Sequence, residues 1–285
     1  MNLVTSIYTQ NELELLGDKL DYALIHIPHY SINYKDINID EALDYCFKNM
    51  IKPILSLNRI FHPADLEGIR NIVSKYKDNN DILFYIADLG ALNLFIKEGI
   101  ISRVIYNPET MITNYLDMNE YYSFGVNSIG VSNEITLNDL NKIAEVNNNI
   151  FYQIFGKRLM FYSRRKLITL YGEKNNTVYP KTNVYLKEAT RTDYLPIIEN
   201  DEDTLIYRSY NISLLPYIDE LNIKYAYIES FDMDINKFKI VNAIFYDYLN
   251  NKMDLSLAKI KLNELDINIE DGFIYQDSVY QKEEF

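Results

Sequence analysis

Residues 53–88 read PILSLNRIFHPADLEGIRNIVSKYKDNNDILFYIAD and contain two strand patterns separated by one helix pattern. The runs PILSLN (53–58) and ILFYIAD (82–88) are short and rich in apolar, β-branched or aromatic residues, which is typical of buried strands. The intervening HPADLEGIRNIVSKYKD (62–78) has a helical pattern, and Pro63 suits the first turn of a helix. The stretch therefore predicts a strand–helix–strand unit.

The same alternation runs through most of the remaining chain. Six further runs have a strand pattern: LVTSIY (3–8), YALIHIP (22–28), RVIYN (103–107), SIGVSN (128–133), IFYQIF (150–155) and YAYIES (225–230). Helix signals follow several of them: Thr9 opens a capping box, Asn38 and Thr136 precede helical patterns, and Gly99 suits a C-terminal cap. Eight strand candidates with intervening helices predict an α/β protein with a (β/α)8 TIM-like barrel.

Each predicted strand has a polar residue at or near its C-terminal end. These residues are Ser6, His26, Asn58, Asp88, Asn107, Asn133, Gln153 and Glu229. In a barrel of this type the C-terminal ends of the strands converge on one face, and active sites are built there. Strand ends are also polar simply because loops are polar, but the complete set favours a site at the mouth of the barrel.

The connection between the seventh and eighth strands, residues 156–222, is too long for an ordinary strand-to-helix loop, which is typically about 2–6 residues. Its segment NVYLKEATRTDYLPIIENDEDTLIYRS predicts two extended segments around an acidic turn. We therefore expect a barrel domain over 1–254 that carries an ordered insertion. Residues 255–285 are predicted to form a short helix and a polar tail that ends in QKEEF.

Composition excludes several classes of protein. The formal net charge of -13 argues against broad binding of nucleic acid, because attraction to phosphate needs a basic face. The start, MNLVTSIYTQNELELL, has no basic region, and no apolar run approaches the ~20 residues of a membrane span, so we expect a soluble, cytoplasmic protein. Cys46 is the single cysteine, which excludes an intramolecular disulfide and a cysteine-ligated zinc or iron–sulfur site. No metal is expected, since His26 and His29 more simply hydrogen-bond or face solvent.

The segment FGKRLMFYSRRKL (155–167) is unusual in such an acidic chain. It contains five cations, Lys157, Arg158, Arg164, Arg165 and Lys166. Because it directly follows the seventh strand, it would emerge at the active face, and guanidinium groups suit carboxylate or phosphate. The segment predicts a clamp for an anionic ligand, either a small polycarboxylate or an RNA backbone with Tyr162 available for stacking. The alternative is that these cations pair internally with the protein's acidic residues.

The succession VSNEITLNDLNKI, IFYQIFGKRLMFYSRRKLITLY, VYLKEATRTDYLPIIENDEDTLIYRSYNISLLPYIDEL and YAYIES resembles the bacterial collagenase-like peptidase family, peptidase family U32. The resemblance spans nearly the whole chain, and GKRLMFYSRRKL is its most specific part. It implies a hydrolase label, yet several members are implicated in oxygen-independent hydroxylation. These include enzymes that form 5-hydroxyuridine at the tRNA wobble base, with prephenate as the implied hydroxyl source.

The chain departs from the family pattern at three places. Many members hold an iron–sulfur cluster with four cysteines, one of which follows the Ser-Arg-Arg triplet, where this chain has Lys166. The usual Ser-Arg-Glu reads Ser-Asn-Glu at 132–134, and the usual Lys-Ile-Glu-Gly-Arg reads Tyr-Ile-Glu-Ser-Phe at 227–231. The chain is therefore most similar to the short cysteine-free paralogue that accompanies a longer tRNA-hydroxylation protein. No resident cofactor is expected.

The leading hypothesis is a component of tRNA wobble uridine 5-hydroxylation with a prephenate-like co-substrate, tRNA and a larger paralogue as its partners. Glu134 and Glu229 are the candidate acid/base residues. The candidate anion-binding or substrate-binding residues are Arg158, Tyr162, Arg164, Arg165, Lys166, His26 and Asn133. One alternative is a peptidase, for which Asp88 with Glu134 is a conceivable carboxylate pair. Another alternative is an inactive barrel retained as the partner of a cluster-bearing paralogue.

Overall fold

The structure is a computed structural model that describes residues 1–190 and 192–276. Its centre is a closed barrel of eight parallel strands, in which the eighth strand pairs with both the first and the seventh to complete the ring. The barrel strands are β1 (Asn2–Ile7), β2 (Tyr22–His26), β3 (Lys52–Leu57), β4 (Leu83–Ile86), β5 (Val104–Tyr106), β6 (Ser128–Gly130), β7 (Ile150–Ser163) and β11 (Tyr225–Ile228). All eight predicted strands are present, and the (β/α)8 fold is confirmed.

Helices alternate with the strands on the outside of the barrel. They are α1 (Gln10–Leu16), α2 (Ile39–Lys48), α3 (Leu66–Tyr76), α4 (Leu89–Lys97), α5 (Tyr115–Tyr122), α6 (Leu137–Val146) and α8 (Ile235–Leu249). The side chains of Thr9, Asn38 and Thr136 accept hydrogen bonds from the first turns of α1, α2 and α6. The sequence did not predict α5, because only Met118 of that helix is buried and an apolar stripe is missing.

Two apolar layers stabilise the barrel. The larger layer lies between the sheet and the surrounding helices, and the smaller one fills the barrel interior. The interior layer comprises Val4, Tyr22, Leu24, Ile54, Tyr85, Ile105, Phe151, Tyr225 and Tyr227. Four of these side chains are tyrosines, so aromatic rings fill the centre below the mouth.

The long strand β7 leaves the barrel after residue 155. Gly156 has φ +103, a conformation that only glycine adopts readily, and beyond it β7 pairs with β10 (Thr204–Ser213) in antiparallel fashion. Two more strands, β8 (Val184–Leu186) and β9 (Leu195–Glu199), extend this sheet beyond β10. The basic segment 155–167 is therefore mostly extended. The insertion also contains α7 (Leu167–Lys174).

The end of the described chain returns to the mouth of the barrel. After α9 (Leu255–Asn263), strand β12 (Ile269–Glu270) pairs with β10, and the N–H of Leu137 donates to the Ile274 carbonyl at 2.9 Å. Part of the predicted polar tail thus packs on the barrel, whereas QKEEF lies outside the described residues. Within the described ranges, none of the helices is both long enough and apolar enough to cross a membrane.

Candidate functional site

A cavity of about 150 Å³ lies at the C-terminal ends of the barrel strands. Six of the eight predicted strand-end residues line it: His26, Asn58, Asn107, Asn133, Gln153 and Glu229. The other two have structural partners, because Ser6 hydrogen-bonds Ser230 at 3.1 Å and Asp88 caps α4. Since Asp88 does not line this cavity, the predicted Asp88–Glu134 carboxylate pair is not formed there. The position of the cavity follows from the barrel topology.

Arg158 is the member of the basic segment that reaches this cavity as a buried cation. It is 4% exposed, its Nη1 donates to the Asn133 carbonyl oxygen at 2.6 Å, and its guanidinium lies 5.8 Å from the ring centre of Tyr152. Burial lowers the pKa of Arg158, but an arginine stays protonated in proteins. Its Nε has no hydrogen-bond partner among the described residues. Arg158 therefore presents an incompletely satisfied positive charge at the cavity.

Arg208 is a second cation at the cavity, and the sequence analysis missed it. Its guanidinium lies 4.5 Å from the ring centre of Phe273, and its Nη1 donates to the Tyr210 hydroxyl at 3.1 Å. The two guanidinium groups are close enough that the charge of Arg208 contributes to lowering the pKa of Arg158. The only signal in the sequence was the Tyr-Arg pair at 207–208 after the acidic turn, and its register against β7 was not predictable.

Arg164 and Tyr162, which were predicted to bind an anion, are instead engaged with acidic side chains. Arg164 Nη1 lies 2.5 Å from Asp65 Oδ2 and its Nε lies 3.5 Å from Asp203 Oδ1. The Tyr162 hydroxyl donates to Asp203 Oδ1 at 3.2 Å. The expectation that these side chains face the mouth is corrected, because the extended path of β7 carries them past the cavity to the acidic turn.

A buried ion pair between Arg59 and Asp203 is the centre of this acidic network. Arg59 is 1% exposed and Asp203 is 0% exposed, and their Nε and Oδ2 atoms are 3.1 Å apart. Arg59 Nη1 also lies 2.5 Å from Glu202 Oε2. The network fastens the turn between β9 and β10 to the loop after β3. Sequence reasoning did not find it, because the partners are far apart along the chain.

The remaining cations of the segment do not bring an unpaired positive charge to the cavity. Arg165 and Lys166 are exposed and precede α7, away from the cavity. Lys157 does line the cavity, but its Nζ forms an ion pair with Asp232. The predicted clamp is therefore split, with Arg158 at the cavity and the other two arginines elsewhere.

Three carboxyl groups line the cavity. Glu229 is 8% exposed and accepts hydrogen bonds from the Tyr227 hydroxyl at 2.5 Å and the Tyr8 hydroxyl at 2.9 Å. Burial raises the pKa of Glu229, and these hydrogen bonds oppose the rise. Glu134 is exposed at the rim. Sequence reasoning missed Glu109, whose pKa is raised to about 7 by burial, although it follows a predicted strand by two residues.

His26 and His29 do not form a pair. The ring of His26 stacks on Tyr8 with the centroids 4.2 Å apart, and burial lowers its pKa to about 3. His29 turns away, and its Nδ1 lies 3.1 Å from the Tyr34 hydroxyl. Within 1–190 and 192–276, no group of three or more His, Cys, Asp or Glu side chains is arranged to hold a metal ion.

The side chains of this chain do not fit the iron–sulfur cluster that four cysteines hold in many members of the family that the sequence resembles. Cys46 lies in α2 with 0% exposure, and burial raises the pKa of its thiol to about 12. Lys166, at the position where relatives have a cysteine, is exposed. A cluster needs several thiolate ligands at one place, and this chain has one buried thiol on the outer layer of the barrel.

Comparison with known proteins found a matching family model and similar solved structures. The family model described as peptidase family U32 matches residues 28–264. The solved structure of the U32 peptidase Mk0906 has a TM-score of 0.52 and 8% sequence identity, and the match covers 82% of this chain and 94% of that chain. The 3-dehydroquinate dehydratase from Aquifex aeolicus VF5 has a TM-score of 0.38 and 15% identity over 62% of this chain and 87% of that chain. A search of curated proteins gave no match.

Proposed function

The protein belongs to peptidase family U32, and we propose that it binds a small carboxylate co-substrate of the prephenate type and takes part in tRNA wobble uridine 5-hydroxylation in the cytoplasm. The observation that carries this proposal is the pair of cations, Arg158 and Arg208, beside one small cavity at the barrel mouth. A volume of about 150 Å³ excludes a folded peptide or a polynucleotide, and because it is below the ~300–1,000 Å³ usual for small-molecule pockets, it would enclose only part of such a co-substrate.

The two arginines contribute in different ways to the binding of such a co-substrate. Arg208 is held by aromatic neighbours, so its guanidinium edge is available for a carboxylate. Arg158 supplies a second, buried positive charge whose field is screened little by water. Polar strand-end side chains such as Asn107 and Gln153 complete the wall and provide hydrogen bonds.

Two carboxyl groups in the wall are suited to proton transfer. Glu109 has its pKa raised to about 7, so near neutral pH it exists in both protonation states and can donate or accept a proton. Glu229 lines the cavity, and hydrogen bonds from the hydroxyls of Tyr8 and Tyr227 hold its two oxygens in place. Glu109 therefore replaces Glu134 as the leading candidate for acid/base work, and Glu229 remains a candidate.

A partner is part of the proposal. Because this chain has one cysteine, we assign any cluster chemistry to a larger paralogue with four cysteines and assign co-substrate binding to the present barrel. The two proteins would then act on the same wobble uridine, and copurification of the paralogue with the tagged protein is the expected result.

Mass spectrometry of tRNA nucleosides from a deletion strain tests the proposal. We expect the 5-hydroxyuridine-derived nucleosides to fall, to recover with the wild-type chain, and not to recover with Arg208→Ala. Lys97→Ala is the control and should restore modification, since that exposed residue lies away from the cavity. Unchanged nucleosides in the deletion strain would refute the proposal.

The two alternative functions give different outcomes in the same strains. An inactive barrel that only supports a partner would restore modification even as the Arg208→Ala or Glu109→Gln variant. A peptidase would leave the nucleosides unchanged on deletion, and the purified protein would cleave gelatin in a manner that depends on a cavity carboxylate such as Glu134.

A further inference from the structure

The insertion carries a concentration of positive charge that the rest of the protein lacks. Residues 161–187 contain six Lys or Arg and one acidic residue, a net charge of +5, so the other residues carry -18 of the total of -13. Two of the six cations are neutralised, because Arg164 pairs with Asp65 and Lys181 Nζ lies 3.4 Å from Glu199. The other four side chains are exposed.

Three of these exposed cations lie on or beside α7. Lys166 and Lys174 are eight residues apart with Leu170 midway, a spacing that places all three on one side of the helix. Arg165 directly precedes them and is also exposed. Arg165, Lys166 and Lys174 form no ion pair with another described residue.

Exposed aromatic rings accompany these cations. Tyr171 on α7 is 60% exposed and Tyr179 is 37% exposed, with their ring centres 5.6 Å apart. Leu170, beside Tyr171, is 49% exposed. The six side chains that form this surface, Arg165, Lys166, Leu170, Tyr171, Lys174 and Tyr179, are called the basic face below.

The basic face has a rigid support. Glu199, which is 2% exposed, accepts hydrogen bonds from the backbone N–H of Thr169 at 3.0 Å and from its hydroxyl at 2.5 Å. The Glu199 N–H donates to the Lys181 carbonyl at 2.9 Å. Helix α7, the segment after it and β9 are therefore joined at one buried carboxylate, so the exposed cations and rings are presented on an ordered element.

We propose that the basic face binds single-stranded RNA. Exposed cations interleaved with exposed aromatic rings match the two needs of such a ligand, which are phosphate neutralisation and base stacking. The acidity of the remaining chain does not prevent this, because charges more than about 10 Å away are largely screened near 0.1 M salt. The inference deepens the proposed function and rests on it only for the identity of the RNA.

Fluorescence anisotropy with a labelled oligouridine of about 12 nucleotides, a length within the range of such sites, tests the proposal. The combined variant Arg165→Gln, Lys166→Gln and Lys174→Gln should weaken binding about tenfold or more near 0.1 M salt. It should also reduce the slope of log affinity against log salt by about 2, since each phosphate contact contributes about 0.7. Tyr171→Ala should weaken binding about fivefold or more through lost stacking.

The matched control removes the same charge elsewhere, with Lys48, Lys97 and Lys239 each changed to Gln, because all three are exposed outside the insertion. This control should bind oligouridine within about twofold of the wild type, as expected for cations that touch no phosphate. Equal affinity in the two triple variants would overturn the proposal. Sedimentation that shows self-association abolished only in the basic-face variant, without RNA binding, would assign the face to a second copy and would also overturn it.

The outcomes separate this inference from the proposed function. If the basic-face variant loses RNA binding while the deletion strain keeps its modified wobble uridines, RNA binding by the basic face is supported and the proposed function is refuted. If modification is lost on deletion but oligouridine binding is unchanged in the basic-face variant, the proposed function is supported and RNA binding by the basic face is refuted.

Discussion

Gly156 lies directly against the backbone of Glu229, so that a Cβ at Gly156 would stand 2.2 Å from the Glu229 carbonyl oxygen. The Glu229 N–H also donates to the Phe155 carbonyl at 3.0 Å. The same close contact therefore positions two features: the point at which β7 leaves the barrel, and Glu229, whose carboxylate lines the cavity.

Gly156→Ala should destabilise the protein strongly, because it adds a collision with the backbone of Glu229 to the strain of φ +103. We expect a loss of more than about 2 kcal/mol in the free energy of unfolding, measured with urea. Gly99→Ala is the matched control, since Gly99 has φ +73 but no atom near the added Cβ, and it should cost about 1 kcal/mol. Equal losses of unfolding free energy in the two variants would contradict the close contact between Gly156 and Glu229.

Arg59→Met should leave Asp203 as a buried carboxylate without its main cation. Loss of one partner of a buried pair typically costs about 3–5 kcal/mol, so the urea midpoint should fall sharply. Lys75→Met removes an exposed pair with Asp40 and should cost at most about 1 kcal/mol. Similar losses in the two variants would show that the Arg59 network does not fasten the acidic turn.

Glu109→Gln should change how stability depends on pH. The folded-state pKa of Glu109 is raised from the ordinary 4.5 to about 7, so its contribution is present below pH 4.5 and is lost as the pH rises through 7. The Gln variant lacks this loss and should be more stable than the wild type by about 3 kcal/mol at pH 8. Near pH 4.5 the two should unfold at similar urea concentrations, and a constant difference across this window would contradict the prediction.

His26→Phe should have the opposite pH signature. Burial lowers the pKa of His26 from 6.5 to about 3, so the wild type loses stability as the pH falls below 6.5. Phenylalanine preserves the stack on Tyr8, and neither ring nitrogen of His26 has a hydrogen-bond partner among the described residues. We expect near-equal stability at pH 7.5 and a gain of about 2 kcal/mol over the wild type at pH 4.5. Thermal melts at both pH values measure this difference in stability. A gain that is the same at both pH values would contradict the titration of His26.

Arg208→Ala should weaken the binding of a carboxylate ligand without a large effect on folding. Loss of one charge-assisted hydrogen bond predicts a decrease of about 1.5–3 kcal/mol in binding free energy, measured by calorimetry with prephenate. Arg165→Ala, outside the cavity, should bind prephenate as the wild type does. If the wild-type protein fails to bind prephenate, or if both variants bind it equally, Arg208 is not a ligand-binding residue.

The sequence alone determined the barrel, because the strand and helix patterns are local and each strand–helix unit repeats them. It also located the mouth, since polar residues at strand ends need only the parallel arrangement to converge, and six of the eight line the cavity. Which cations face that cavity depends on contacts between distant parts of the chain. Arg158, Arg164 and Arg208 look equivalent in the sequence, yet the bend at Gly156 and the register of β10 against β7 send them to different places. Such long-range pairings, including those of Arg164 with Asp65 and Arg59 with Asp203, depend on the complete path of the chain, and no local pattern encodes them.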